Sequence, residues 1–372
     1  MKTIVFALDV CLAIGCLAGA SELPPDSVDR RFVAQAEMQR IYDEVKTPYK
    51  YGVVLAPEKG KMLDNPNVFR AGSRWYMLYI VFDNSGYETH LAVSDDLLDW
   101  KPLGTVLPYG KPGAWDAAQA DGGPSLFKMD WYAPAWQGAN TLGKFEDRYW
   151  MTYIGGAKTG YETDPLAIGV ATTDDPCDWT KPWQRADKPV LAPWDKDARP
   201  FEKVTLFKSF VVDDPSKKLG HRFVMYYNAK PEGEWIERIG MAVSDDMRKW
   251  KRYGADDCLR QDGDFDHGIT GDPMVRKLKD KYVMFYFGYN WDRKGGHAFD
   301  TFAVSEDLVH WTKWKGPHLV EASEPWDRQH AHKPWVIKHN GVVYHFYCAV
   351  GDCGRVLALA TSKPMKCPAP AR

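Results

Sequence analysis

Five copies of one short pattern run through this chain and confine it to a repeat architecture built of strands. The copies are Trp75-Tyr76-Met77-Leu78-Tyr79, Tyr149-Trp150-Met151-Thr152-Tyr153, Phe223-Val224-Met225-Tyr226-Tyr227, Tyr282-Val283-Met284-Phe285-Tyr286 and Val343-Tyr344-His345-Phe346-Tyr347. Tyr closes all five, and Met is central in four. A second run follows each copy: Ala92-Val93-Ser94-Asp95-Asp96, Ala171-Thr172-Thr173-Asp174-Asp175, Ala242-Val243-Ser244-Asp245-Asp246, Ala303-Val304-Ser305-Glu306-Asp307 and Ala360-Thr361-Ser362. Trp100, Trp179, Trp250 and Trp311 end four units.

From Tyr to Tyr the spacings are 74, 74, 59 and 61 residues, room for a four-stranded antiparallel sheet with its loops. The expected fold is therefore all-β, a five-bladed β-propeller. A first strand opens each unit at Pro66, Pro124, Val204, Pro273 and Pro334. Pro is tolerated where a strand begins. The last unit runs out of sequence before a fourth strand. Residues 51–56 are expected to supply it, beside Val356 to Thr361, which closes the ring and removes an edge.

Three segments are expected: a signal peptide over 1–20, a helical segment over 21–48 and the propeller over 49–372. Lys2, the apolar run Ile4 to Leu17 and Ala18-Gly19-Ala20 fit a cleaved export leader, and a lipid acceptor at Cys16 is the weaker reading. The helix is expected over 27–46, with Ser27 as cap and Val28, Phe32, Met38, Ile41, Tyr42 and Val45 on one face, packed outside the ring. A net charge of −2 gives no reason to expect nucleic acid or a membrane surface as partner. Cys177, Cys258, Cys348, Cys353 and Cys367 follow the leader with no metal-finger spacing, which allows one or two bridges at most. No metal ligand set or cofactor motif stands out. A structural or channel calcium ion is the one metal that the channel could hold.

The repeat separates scaffold from chemistry. A residue present in every blade serves the blade, so the acidic pairs before the Trp residues read as turn formers. The entrances to the inner strands differ from blade to blade: Leu63-Asp64-Asn65, Asp121-Gly122-Gly123, Phe201-Glu202-Lys203, Thr270-Gly271-Asp272 and Ala331-His332-Lys333. In a propeller these entrances gather at one mouth, so Asp64, Asp121, Glu202, Asp272 and His332 are expected to converge. Crowded, half-buried carboxylates acquire different pKa values, the condition for a general acid beside a general base. Loop tryptophans beside acids (Trp115, Trp291, Trp326), Trp136 in a long hairpin loop over 128–147, and the polar Glu88 and Arg199 are the expected substrate contacts. A flat ring beside a hydrogen-bonding carboxylate suits a sugar.

With these entrances the chain resembles the five-bladed propeller glycosidases: glycoside hydrolase family 43 and its relatives in families 32, 117 and 130. Family 43 has Asp directly before the first-blade Pro, whereas Asp64 here stands one residue earlier, before Asn65. The resemblance implies Asp64 as general base, Glu202 as general acid, Asp121 and Asp272 as supporting carboxylates, and His332 or His330 as a family-117-like acid. It implies an exported, exo-acting, inverting hydrolase of a plant or algal saccharide. Two alternatives stay open: a glycoside phosphorylase, with Arg199, Lys203 and Lys333 for phosphate, and a non-catalytic carbohydrate-binding propeller.

Overall fold

The computed structural model describes residues 32–365 apart from 234, 260–265 and 291–295. The leader, Cys16, Ser27, Val28, Trp291 and Cys367 lie outside the described residues. Helix α1 (Gln35–Val45) is followed by β1 (Tyr49–Leu55) and by five blades counted outward from the axis. Blade I is β2 (Met62–Ala71), β3 (Arg74–Phe82), β4 (Tyr87–Ser94) and β5 (Lys101–Leu107). Blade II is β6 (Gln119–Pro124), β7 (Tyr149–Gly156), β8 (Ala167–Thr173) and β9 (Gln184–Arg185). Blade III is β10 (Thr205–Asp213), β11 (Phe223–Lys230), β12 (Arg238–Ser244) and β13 (Lys251–Tyr253). Blade IV is β14 (Ile269–Leu278), β15 (Lys281–Tyr289), β16 (Phe299–Ser305) and β17 (Thr312–Lys313). Blade V is β18 (His330–His339), β19 (Val342–Gly351) and β20 (Gly354–Thr361), with β1 as its outer strand.

The ring closes as the truncated fifth unit requires: Tyr49 pairs with Thr361 and Leu55 with Leu357. Met77, Met151, Met225 and Met284 are fully buried, the packing role their repetition implied. The second repeated run is a turn: Ser94 Oγ accepts from the Leu97 N–H and Asp96 Oδ1 from the N–H groups of Leu98 and Asp99. Ser244 with Asp246 and Ser305 with Asp307 repeat it. Among the described residues Cys177, Cys258, Cys348 and Cys353 are free thiols.

Two expectations change. The helix starts at Gln35, and Phe32 is exposed instead of sharing the buried face of Met38, Ile41 and Val45. The loop over 128–147, which carries the expected substrate contact Trp136, does not reach the inner-strand mouth. Asn140 accepts from the Arg70 N–H and donates from Nδ2 to the Lys338 carbonyl, and the Trp131 N–H donates to the Lys277 carbonyl. Arg70, Lys277 and Lys338 lie near the C-terminal ends of β2, β14 and β18, so this loop covers the opposite end of the axis. Glu44 of α1 joins it there through Trp131 Nε1 and Lys338 Nζ.

Losing β1 would open the β20 edge and strip Asp327 of its partner Lys50, a buried ion pair. Removal of residues 32–57 is expected to give aggregated protein of lowered Tm. A monomeric deletion variant with wild-type Tm in size-exclusion and thermal unfolding runs would contradict the closure.

Candidate active site

Each inner strand but one carries a bulge, opposite the column Tyr in blades I, IV and V and one residue further along in blade III. Two residues stand opposite one: Asn65-Pro66 opposite Tyr79, Phe207-Lys208 opposite Asn228, Asp272-Pro273 opposite Tyr286, and Lys333-Pro334 opposite Tyr347. Blade II runs through without the extra residue, with Asp121 opposite Ile154. A bulge re-aims a side chain, here with φ near +50° to +60° at Asn65, Asp272 and Lys333. One buried ring results around the axis: Asn65, Asp121, Lys208, Asp272 and Lys333.

Below the ring the axis is plugged. The next inner-strand positions bring Asn67, Gly123, Phe210, Met274 and Trp335 together, with Phe210 and Trp335 centroids 5.9 Å apart. Gly123 leaves room for this packing, since a Cβ there would stand 2.9 Å from Asn67 Oδ1. Above the ring lies a cavity of about 220 Å³. Asp121, Lys208, Asp272 and Lys333 form its floor, and Glu162, Trp235, Glu237 and Arg355 stand on its walls.

The floor is a matched set of charges. Asp64 Oδ2 accepts from Lys333 Nζ at 3.0 Å, from the Tyr161 hydroxyl at 2.9 Å and from Arg355 Nη1. Burial alone would raise the Asp64 carboxyl, but Lys333 and Arg355 outweigh it and hold the group well below the carboxylate range. Asp121 accepts from Asn65 Nδ2. Burial pushes its carboxyl up to about 7, against the pull of Lys333, Asn65 and Lys208. Asp272 is raised by burial as well. Asp272 Oδ2 and Lys208 Nζ are buried and unbonded, facing polar groups a ligand would bring.

The walls supply two carboxylates from equivalent loops of neighbouring blades. Glu162 lies between β7 and β8, and its Oε1 accepts from Lys333 Nζ at 3.1 Å. Glu237 lies between β11 and β12, accepting from Asn228 Nδ2 at 2.6 Å and from Trp235 Nε1 at 2.9 Å. Burial and the charge of Glu162 push the Glu237 carboxyl up to about 7, although Trp235 and Asn228 favour its ionised form. His332 donates from Nδ1 to the Cys348 carbonyl (3.1 Å), and burial keeps the ring neutral with Nε2 toward Arg355. Asp64, His332 and Cys348 could offer atoms within 4.8 Å of one another to a cation, yet Lys333 and Arg355 already neutralise Asp64.

Of the residues singled out from the sequence, Asp121, Asp272, His330, His332 and Lys333 line the cavity, and Asp64 lies behind Lys333 and Arg355. Glu202 does not reach it. Arg199 Nη2 and Arg252 Nε donate to its two oxygens at 2.6 and 2.7 Å, and the Tyr227 hydroxyl donates to Oε1. Burial would raise Glu202, but Arg199 and Tyr227 prevail and lower it, the reverse of what a general acid needs. Arg199 is consumed in the same cluster, including the Tyr253 carbonyl.

This cluster is a repeated strut. The column Tyr of blades II to V bonds an acid that precedes the inner strand, and a cation from the outer strand pairs with that acid. The sets are Tyr153, Asp116 and Arg185; Tyr227, Glu202 and Arg252; Tyr286, Asp266 and Lys313; Tyr347, Asp327 and Lys50. An aromatic precedes each acid: Trp115, Phe201, Phe265 and Trp326. Trp115 and Trp326 are thus parts of the strut and not sugar platforms: Trp115 packs on Tyr153 and Trp326 donates to the Tyr347 hydroxyl. Glu88 accepts from the Tyr109 N–H outside the cavity, and Trp136 projects from the far end of the axis.

Sequence reasoning missed Glu162, Glu237, Lys208, Arg355 and Trp235. A signal existed for Lys208. Asp266 and Asp327 stand six residues before Asp272 and Lys333, and Glu202 stands six before Lys208. Glu162 and Glu237 sit on loops that do not repeat.

The pocket is axial, closed at its floor and lined by several carboxylates, with Asp64 held low behind it and Asp121 and Glu237 raised within it. No family model matches the chain. A solved structure described as "Glycoside hydrolase" is 45% identical, covering 92% of this chain and 100% of that one, with a TM-score of 0.84. A second, a complex of BT0996 named for RGII, is 46% identical over 92% of this chain and 98% of that one, also at 0.84. The chain belongs to the five-bladed propeller glycoside hydrolases. A curated relative, the beta-1,2-mannobiose phosphorylase of Thermoanaerobacter sp. (strain X514), is 28% identical over 156 residues. That match takes in 38% of this chain, which spans 46% of the phosphorylase's length. Among the described residues no helix is long and apolar enough to cross a membrane.

Proposed function

We propose that the protein hydrolyses the terminal glycosidic bond of a saccharide, with Glu237 as general acid and Glu162 as the carboxylate that acts on water. The observation that carries this reading is the pairing of Glu162, held by Lys333, with Glu237, raised to about 7 in the same cavity. The Glu237 proton passes to the glycosidic oxygen as the C1–O bond breaks. Water adds to C1 and gives its proton to Glu162, so one water is consumed and two hydroxyls result. Asp121, Asp272 and Lys208 on the floor bond the hydroxyls of the terminal sugar. A blind cavity of about 220 Å³ suits one sugar ring and hence exo action. Inversion follows the family-43 resemblance, and NMR of the anomer first released tests it.

RGII, named for the 46% identical relative, is the first substrate to try, followed by a panel of aryl glycosides and plant or algal oligosaccharides. Phosphorolysis is the second reading, prompted by the mannobiose phosphorylase relative. Lys333 and Arg355 are bonded to Asp64, which leaves them less able to bind phosphate and favours water. Reactions with and without phosphate, followed for a sugar phosphate, decide between the two. Export through the leader over 1–20 belongs to the same reading, and N-terminal sequencing of the exported form is expected to begin near Ser21.

The pH dependence follows from Glu237. Its carboxyl must be protonated to donate, and it loses that proton through about 7, so kcat/KM falls tenfold per unit above that pH. A profile flat to alkaline pH assigns the acid role elsewhere.

A further inference from the structure

Trp235 occupies an unusual place for an indole. It is 48% exposed, yet lines the cavity and has its ring held by its neighbours. Nε1 donates to Glu237 Oε1 at 2.9 Å. On its face, Lys230 Nζ lies 4.1 Å from the ring centroid. That ammonium also pairs with Asp164 Oδ2 at 2.6 Å, two residues beyond Glu162. Lys230 thus straps the Glu162 loop to the Trp235–Glu237 loop, and the indole between them lines the cavity.

We propose that Trp235 is both the platform on which the leaving-group sugar stacks and the positioning residue of Glu237, so that leaving-group binding and proton donation share one indole ring. The inference rests on the reading of Glu237 as the acid. The terminal sugar on the floor puts its glycosidic oxygen toward the walls, and the next sugar then lies toward the mouth. A pyranose or furanose offers a face of C–H bonds, which an apolar ring covers, and a rigid ring loses little entropy in doing so. The indole N–H meanwhile holds one Glu237 oxygen and orients the carboxyl. The charged groups that act on Glu237 include Glu162 from the β7–β8 loop and Asp272 from β14, and its neutral donors include Trp235 and Asn228. Both charged groups are carboxylates that disfavour the ionised form, so the indole N–H opposes them in favouring it.

The test uses Trp235→Phe and Trp235→Ala in the full chain, on a methyl glycoside and a disaccharide sharing the terminal sugar that the panel identifies. Trp235→Phe keeps a ring and loses the N–H. Its KM for the disaccharide stays near wild type, while the basic limb of kcat/KM moves to higher pH by roughly half a unit or more. Trp235→Ala also shifts the limb, and raises KM for the disaccharide about tenfold, as expected for ~50 Å² of apolar surface left uncovered, but not for the methyl glycoside, whose leaving group is too small to cover the indole. An unmoved limb in Trp235→Phe, or equal KM changes on both substrates in Trp235→Ala, overturns the inference. Glu237→Gln separates the two failures. If that variant keeps wild-type rates on the disaccharide, the assignment of the acid has failed. If it is inactive while both Trp235 variants behave as wild type, only the role of Trp235 has failed.

Discussion

Glu237→Gln is expected to lower kcat/KM on substrates with a sugar leaving group by roughly 10²- to 10⁴-fold, the usual worth of a positioned general acid. On an aryl glycoside with an acidic phenol the loss is expected to be much smaller, because that leaving group departs without a proton. The contrast between the two substrates matters more than either loss. Gln fills the same space, but its amide must turn one N–H₂ toward Trp235 Nε1 or Asn228 Nδ2, each already a donor. Thermal unfolding of the variant therefore accompanies the kinetics. Equal losses on both substrates, or none on the sugar leaving group, remove Glu237 from proton donation.

Glu202→Ala is expected to act on stability instead. It leaves the Arg199 and Arg252 guanidinium groups, 8% and 5% exposed, without their shared carboxylate. Breaking one side of a buried ion pair costs about 3–5 kcal/mol. Denaturant unfolding measures this, and kcat per folded molecule is expected to stay near wild type. The sign with pH follows from the lowered carboxyl. Its folded value lies below the ordinary 4.5, so its contribution is present above 4.5 and lost as pH falls through the folded value. A collapse of kcat with unchanged unfolding would return Glu202 to the chemistry.

These two expectations reverse the roles that the inner-strand entrances suggested, and the reason is register. Aligning blade III on Val204 puts Glu202 level with Asp64. The ladder instead sets Ser209 opposite Tyr227, and the bulge before it brings Lys208, not Glu202, to the axis. Blade II slips as well, since it runs past Asp121 without the extra residue that its neighbours carry. A bulge of one residue leaves no mark in composition or alternation, yet it decides which side chain meets the axis.

The blades themselves were legible because their signals are local and repeated. The Tyr and Met columns, the Ser-Asp turns and the missing fourth strand of the last unit are each read within a few residues. Alternation along a strand buries one face wherever the strand ends up. The amino-acid sequence alone therefore determined a closed ring of five blades, the identity of its outer β1 strand, and the mouth where the inner strands begin. It also marked Asp121, Asp272 and His332 for that mouth. The tertiary structure alone decided which charges meet. Asp64 finds Lys333 and Arg355 from a blade 269 and 291 residues away, and Glu162 faces Glu237 across two loops that share no pattern. Whether a carboxyl becomes an acid, a base or a strut depends on the burial and the neighbouring charges within a few ångströms, which only the packed ring of blades sets.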